Sequence, residues 1–560
     1  MTAVETRGRR PVGARTPITK PRRPELFFGL VGAIGTDLVT VADILKEALA
    51  KYNYNCSNRL HLITDLRNLK LTANGKPLWT PHEHDAYYDK RAWAQMDLGN
   101  DYCSALQLTD AMAILGITSV RYARERVSHS VKKPADHQAY LISSLKRPAE
   151  VTKLRRVYGP AFFLLSVYSR RPKRVEALAA KIAKSRGSAR PDRFMSHAER
   201  LVTRDEEDIT RSNEFGQNVQ DTFHRADVFL DTDDQQTLRE QVDRFIALVF
   251  GDPHLTPYPD EYGMFLAQAA GFRSGDTSRQ VGASVVSPTR DVLSLGTNDA
   301  PKAKGDLYWP DDPYDARDIV LRTDSSVEVK EAIVRELLEK LSSGHQLSKR
   351  ASDLVRSNLE EAAKRALKSF RRTQLLDLTE FGRSVHAEMT ALLGAARRGV
   401  SVQGATLYTT LFPCHNCAKH ILAAGIERVV YIEPYPKSRA LALHGDAIAL
   451  EGHVPKGPHI TFGPFVGVAP RRYADLFGFA AKERKELIAA MDRNRSEATP
   501  RFMKSGDYYQ REYLRFESKE EAWLKECMDE CHVKAHLTKK RTPRAVYKNT
   551  AARRQQEEKS

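Results

Sequence analysis

Near residue 400 the chain spaces one imidazole, one carboxylate and two thiols as a helix–strand–helix unit would to bring them together: His386-Ala387-Glu388, then Pro413-Cys414-His415-Asn416-Cys417. From Val385 to Arg397, Val385, Met389, Leu392 and Leu393 recur at helical intervals, which predicts a helix with His386 and Glu388 in its first turn. Ala405 to Leu411 alternates and is rich in β-formers, so it reads as a strand. Pro413 suits the start of a second helix, where Cys414 and Cys417, three apart, share a face. Unbonded backbone N–H groups at such helix starts face a ligand, and the positive helix end lowers a thiol's pKa. One nitrogen and two sulfurs are soft donors that suit a tetrahedral zinc with its fourth position open to water. Glu388 is then left as a carboxylate able to carry protons. A lone C-x-x-C is also a redox pair, and a lone helical histidine usually packs or faces solvent. Four such groups in one strand-linked layout favour the metal.

The pattern H-x-E…P-C-x-x-C resembles the signature of zinc nucleobase deaminases. Upstream, Ser278 to Val286 passes through a turn at Pro288 to Asp291 into a second alternating segment ending at Asn298, which reads as a β-hairpin. It is similar to the first hairpin of deoxycytidylate deaminases, with the "QVGA" string at Gln280 to Ala283 and the "GxN" string at Gly296-Thr297-Asn298; Pro301 and Trp309 follow in the family manner. That resemblance implies that Asn298 holds the deoxyribose and that Arg279 and Gln280 approach the phosphate or base. By residue type alone, Asn298 reads equally as a turn asparagine and Arg279 as a solvated charge. Between Trp309 and His386 the chain departs from a compact deoxycytidylate deaminase. Residues 325–370 form an apparent insertion with two helical patterns, one striped by Val329, Ile333, Leu337, Leu338 and Leu341. Such a stripe packs against a core or a partner helix.

At 560 residues the chain is long enough for two or more domains. Pro24 to Thr36 is an apolar strand followed by Gly29, Gly32 and Gly35, then a helix from about Asp37 to Tyr52. Strand, glycine-rich turn and helix make an arrangement that wraps phosphates, with Gly29, Gly32, Gly35, Thr36 and Asp37 as its candidate contacts. The Walker lysine is missing, however, since Thr36 and Asp37 follow Gly35 directly. Ala139 to Ser144, Ala161 to Tyr168 and Ala226 to Asp231 read as buried parallel strands, and Gln235 to Phe250 as an amphipathic helix. This half resembles the nucleoside and nucleoside-monophosphate kinase branch of P-loop proteins. The basic stretch Arg170 to Arg174 falls where such kinases carry phosphate-contacting arginines, and reads as a solvated charge run otherwise.

Taken together, Gly29 to Asp37, Glu380 to Met389, the Pro413–Cys417 string, Glu433 to His444 and Phe465 to Tyr473 resemble the bacterial anti-phage dCTP deaminases, over residues 25 to 480. The resemblance implies an α/β chain: an N-terminal P-loop-like parallel sheet domain (25–250) and a cytidine deaminase-like three-layer α/β/α domain (255–480). A basic disordered tail (1–24) and a helical basic extension (481–560) would flank them. It also implies a zinc cofactor held by His386, Cys414 and Cys417, with Glu388 catalytic. Hydrolysis of dCTP and dCMP to deoxyuridine nucleotides, an inhibitory small RNA as partner, and a homo-oligomer complete that expectation.

Composition bears on the partners. Lys plus Arg number 88 against 71 Asp plus Glu, for a net charge of +17. Much of the excess is terminal: residues 1–24 carry seven Lys/Arg and one Glu, and residues 533–560 carry nine against two acids. Such tails attract RNA or phosphorylated substrates, and are also common without that duty. Six cysteines are too few for a disulfide scaffold, no apolar run nears the ~18 residues of a membrane span, and no apolar signal stretch follows the basic start. A cytoplasmic setting is expected. Cys527, Cys531, His532 and His536, at helical spacing, make only a weak second metal pattern. Three other readings stay open: a housekeeping dCMP deaminase, a polynucleotide cytidine deaminase that flips its base, and a nucleotide-sensing or kinase-like protein.

Overall fold

The computed structural model describes residues 23–535 apart from 58, 70, 79–86, 207–214, 323–324, 371–372, 374, 376–380, 436, 451–452, 494–497 and 502–507. The N-terminal basic tail up to residue 22, the C-terminal tail from residue 536 and His536 itself lie outside the described residues.

The first sheet is built on β1 (Leu26–Val31), every residue of which is buried. Its side chains alternate between two cores: Phe27 and Val31 face one, Leu26, Phe28 and Leu30 the other. A strand covered on both sides reads as a continuous apolar run, as the sequence showed. β2 (Asn55–Cys56), β3 (Leu60–His61), β4 (Gln138–Ser143), β5 (Phe162–Tyr168) and β6 (Val228–Asp231) complete the parallel set. The order is β6-β5-β1-β4-β2, with β3 also on β4.

The second sheet carries the predicted hairpin, β7 (Gly282–Val286) and β8 (Val292–Thr297), then β9 (Thr406–Leu411), β10 (Arg428–Glu433), β11 (Ile448–Ala449) and β12 (Ile460–Pro464). Its order is β8-β7-β9-β10-β12-β11, antiparallel through β8-β7-β9 and parallel beyond. One face packs on helices Ala387–Arg397 and His415–Ala423, through Ala391, Ala395, Cys417 and Ile421. Met264 and Ala267 of helix Pro259–Gly271 pack on the other face. The expected three layers are therefore present.

The two sheets are stitched together. A further strand, β13 (Gly467–Val468), leaves the second domain and pairs antiparallel with Val228 and Phe229 of β6. Arg244 pairs with the buried Glu261 at 2.8 Å, whose Oε1 also accepts from the Val468 amide at 2.9 Å.

Within the stretch beyond 481, helix Tyr508–Glu530 packs on the first domain, with Tyr513 and Leu524 in its core. The strand Val533–Ala535 pairs with Leu71–Ala73 there. The insertion holds three helices, not two, because Asn358 ends Lys349–Ser357 and caps Leu359–Ser369 by accepting from the Glu361 amide at 3.0 Å. On its first helix, Ser325–Ser343, Val334 is the one fully buried residue described; the expected stripe is half-buried and Leu337 is exposed. Among the described residues, no helix is long and apolar enough to cross a membrane.

Candidate metal centre and its pocket

Both metal-ligand strings sit at helix starts, one residue further out than the sequence suggested. His386 is the N-cap of Ala387–Arg397, with extended backbone angles, so Glu388 falls in the first turn. Cys414 is the N-cap of His415–Ala423 and its sulfur accepts from the Cys417 amide at 3.4 Å. β9 carries the chain from one helix to the other, and both helices pack on a single face of the sheet. Gly296 makes this possible: a Cβ there would lie 2.1 Å from the Ala387 carbonyl oxygen, so only glycine lets the helix start rest on β8. Val385, just before the histidine, bridges to Asp299 by two backbone hydrogen bonds.

The result is a tight cluster. His386 Nδ1 lies 3.3 Å from the sulfurs of both Cys414 and Cys417. Among the described residues these three form the one group of His, Cys, Asp and Glu able to share an ion, with donor atoms within 4.8 Å of one another. Tetrahedral zinc ligands, one nitrogen and one sulfur, are separated by about 3.5 Å, so the residues present fit the metal. Glu388 is buried beside them, its Oε2 3.4 Å from Cys417 Sγ, and is left for proton transfer.

Without a metal charge, the contacts within the group set its titration. Bonds from Cys417 and His386 outweigh burial and push the Cys414 thiol down to about 4. The same bond with Cys414, burial and the Glu388 charge drive Cys417 up. Bonding to Cys414 raises His386 to about 9. Burial, with the Cys414 charge adding, lifts Glu388 to about 7. Such a carboxyl can both take and give a proton near neutrality.

These side chains open into a cavity of about 480 Å³, large enough for a nucleotide. Asn298 and Arg279 line it, and Gln280 does not. Asn298 Oδ1 accepts from the Val281 amide at 2.7 Å and its Nδ2 donates to the Arg279 carbonyl at 2.8 Å. It thus fixes the loop Arg279–Val281 and keeps one further donor and acceptor site. The Arg279 guanidinium pairs with Glu433. The Gln280 amide donates to the Ser274 carbonyl at 2.8 Å and faces a neighbouring cleft. Sequence reasoning missed Ser384, whose buried hydroxyl has no hydrogen-bond partner among the described residues, and Lys330, brought to the cavity by the apparent insertion.

The glycine-rich turn forms its own cavity of about 280 Å³, lined by Gly32, Gly35, Thr36 and Asp37. Gly35 adopts φ +95°, as a tight turn requires. Gly29 is a correction: it lies inside β1, paired with Ile142 and Leu164, where a Cβ would come within 2.8 Å of Leu145 and Phe162. Asp37 caps helix Leu38–Ala50 by accepting from the Val39 and Thr40 amides. The Ile34 amide, where a phosphate would be sought, already donates to the buried Asp205 at 2.6 Å, and Lys146 holds that carboxylate and the Gly32 carbonyl. The basic stretch does not line this cavity: Arg170 pairs with Asp233, Arg171 with Glu199 and Arg174 with Glu206.

Known proteins resemble one part of the chain. Residues 257–433 match the cytidine and deoxycytidylate deaminase zinc-binding region. The deoxycytidylate deaminase of Enterobacteria phage T2 is 53% identical over 55 residues, 10% of this chain and 29% of that protein. A probable deoxycytidylate deaminase of Drosophila melanogaster is 43% identical over 83 residues, covering 14% of this chain and 40% of its own. This chain therefore spans less than a third of the phage relative it matches. The crystal structure of dCMP deaminase from cyanophage S-TIM5 aligns over 37% of this chain and all of that one, at 17% identity and a TM-score of 0.20, too low to inform the fold. Residues 257–433 therefore carry a cytidine and deoxycytidylate deaminase zinc-binding domain, with His386, Cys414 and Cys417 as its metal group, inside a 560-residue chain.

Proposed function

We propose that this chain is a zinc-dependent hydrolase that deaminates dCTP and dCMP to dUTP and dUMP. The observation that carries the reading is the buried Glu388 carboxyl beside three soft donor atoms within 4.8 Å of one another. His386, Cys414 and Cys417 would hold the zinc, which would supply a water with its pKa lowered towards neutrality. Glu388 takes a proton from the water that attacks C4 of cytosine and passes it to N3, then takes the proton of the new C4 hydroxyl and passes it to the departing amine. Water is consumed, the C4–N bond breaks and ammonia leaves, so the protons balance without a further reactant. Asn298 orients the sugar, and Arg279 faces the phosphates at the price of its pairing with Glu433.

The names of the phage and fly relatives support dCMP as a substrate. The likeness to anti-phage dCTP deaminases supports dCTP, and with it depletion of dCTP during infection under the control of an inhibitory small RNA. The first domain, for which a housekeeping dCMP deaminase has no use, favours the defence setting. Purified zinc-loaded protein incubated with dC, dCMP, dCTP, CMP and CTP, read by chromatography, tests the reading. Conversion of dCTP and dCMP is expected. Conversion of dCMP alone supports the housekeeping enzyme, and conversion of none of the five overturns the reading.

A further inference from the structure

The start of the apparent insertion, residues 325–370, reaches the metal pocket. Ser325, Ser326, Val327 and Lys330, all on helix Ser325–Ser343, line the same cavity as His386 and Glu388. The helix start is fastened to the segment that leads into the metal ligands. The Ser325 hydroxyl donates to the Phe381 carbonyl and accepts from the Arg383 amide, both at 3.2 Å. Arg383, itself in the cavity wall, pairs with Asp318 at 2.8 Å. Basic residues from four separate segments line the cavity, Arg279, Lys330, Arg383 and Lys437, with Arg279 paired to Glu433 and Arg383 to Asp318.

Four carboxylates share that wall: Asp318 is paired with Arg383, Glu388 stands beside the metal group, and Asp299 and Asp276 are held by backbone amides. Asp299 accepts from the Gly275 and Ala300 amides, and Asp276 from the Ser278 amide. Ser384 adds to the same wall a buried hydroxyl with no hydrogen-bond partner among the described residues, a donor that a ligand oxygen would satisfy. A cavity with a metal group and a buried carboxyl within, and basic residues from four segments in its wall, suits a ligand with a neutral ring and a highly charged tail.

We propose that Lys330 and the first turn of the inserted helix form a phosphate-chain subsite that favours a nucleoside triphosphate over a monophosphate. The inference rests on the deaminase reading and deepens it. Its physical basis is additive: each charge-assisted contact to a phosphate oxygen adds affinity, and only the longer chain has the β- and γ-phosphates to use this one. The helix start adds its positive end to the same place.

The test compares kcat/KM for dCTP and dCMP in zinc-loaded wild type, Lys330→Ala and Lys330→Arg, with zinc content measured on each preparation. The preference for dCTP over dCMP should fall about tenfold in Lys330→Ala, the equivalent of one charged contact, and largely return in Lys330→Arg. Inorganic triphosphate should also inhibit Lys330→Ala less than wild type, whichever nucleotide is the substrate. Equal losses on both nucleotides, or no loss on either, overturn the subsite while leaving the deaminase reading intact. A wild type that converts neither nucleotide overturns both.

Discussion

Cys414 and Cys417 share one imidazole at equal distance, and the hydrogen bond between the two sulfurs decides which of them ionises first. Cys414 gains bonds from Cys417 and His386 and is pushed down to about 4; Cys417, buried beside a thiolate and a carboxylate, goes up. A dication offsets the repulsion and lets the second thiol ionise, so metal binding releases a proton from Cys417. Serine has a similar size but no accessible anion, so Cys414→Ser should leave the chain with well under one zinc, measured by metal analysis after gel filtration. One zinc per chain in that variant would remove Cys414 from the ligand set. These ligands were legible because coordination chemistry fixes both residue types and spacing. Ser384 and Lys330 were not, since nothing local to either marks it as facing the same cavity as His386. Asn298 falls between: the "GxN" string placed it in the cavity wall, while its bonds to the Arg279–Val281 backbone needed coordinates.

Helix starts organise the site at the scale of elements. His386 and Cys414 occupy the same N-cap position on two helices of one sheet face, which brings both ligand strings to one point. The strand Thr406–Leu411 and both helices matched their periodic patterns to within about two residues, because each buries one clear apolar face; the hairpin's first strand starts at Gly282, four residues after the segment read from Ser278. Helix Tyr508–Glu530 falls within the stretch read as a helical basic extension, and where it docks was not read. Its anchor is polar and distant in sequence: buried Arg124 bridges Glu517 at 2.6 Å and Glu25 at 2.8 Å, and the Tyr513 and Tyr140 hydroxyls donate to Glu25. No local pattern announces a partner 393 residues away. Arg124→Met leaves two buried carboxylates without their cation, and should destabilise the first domain by about 3–5 kcal/mol. Urea unfolding followed by a probe in that domain measures it. A loss under about 1 kcal/mol would mean that the network contributes little.

Across the whole molecule, the two sheets share a strand connection through β13, and Asp227 at the junction is held by Arg155, Arg471 and Arg472. The second domain was readable as a chemistry because its motif is short and specific. The first was readable as a fold: continuous apolar runs gave parallel strands, and the glycine turn lies where expected. Its ligand was not readable, because Asp205, 171 residues from the turn, occupies the amide that a phosphate would seek. The central claim is that the buried carboxyl and the metal group work as one unit on a cytosine nucleotide. Measuring zinc content and ammonia release from dCTP and dCMP on the same preparations of wild type and Glu388→Ala tests it most directly. One zinc per chain in both proteins, with ammonia released by wild type alone, is the expected result; ammonia from Glu388→Ala at a wild-type rate, or none from zinc-loaded wild type, would contradict it.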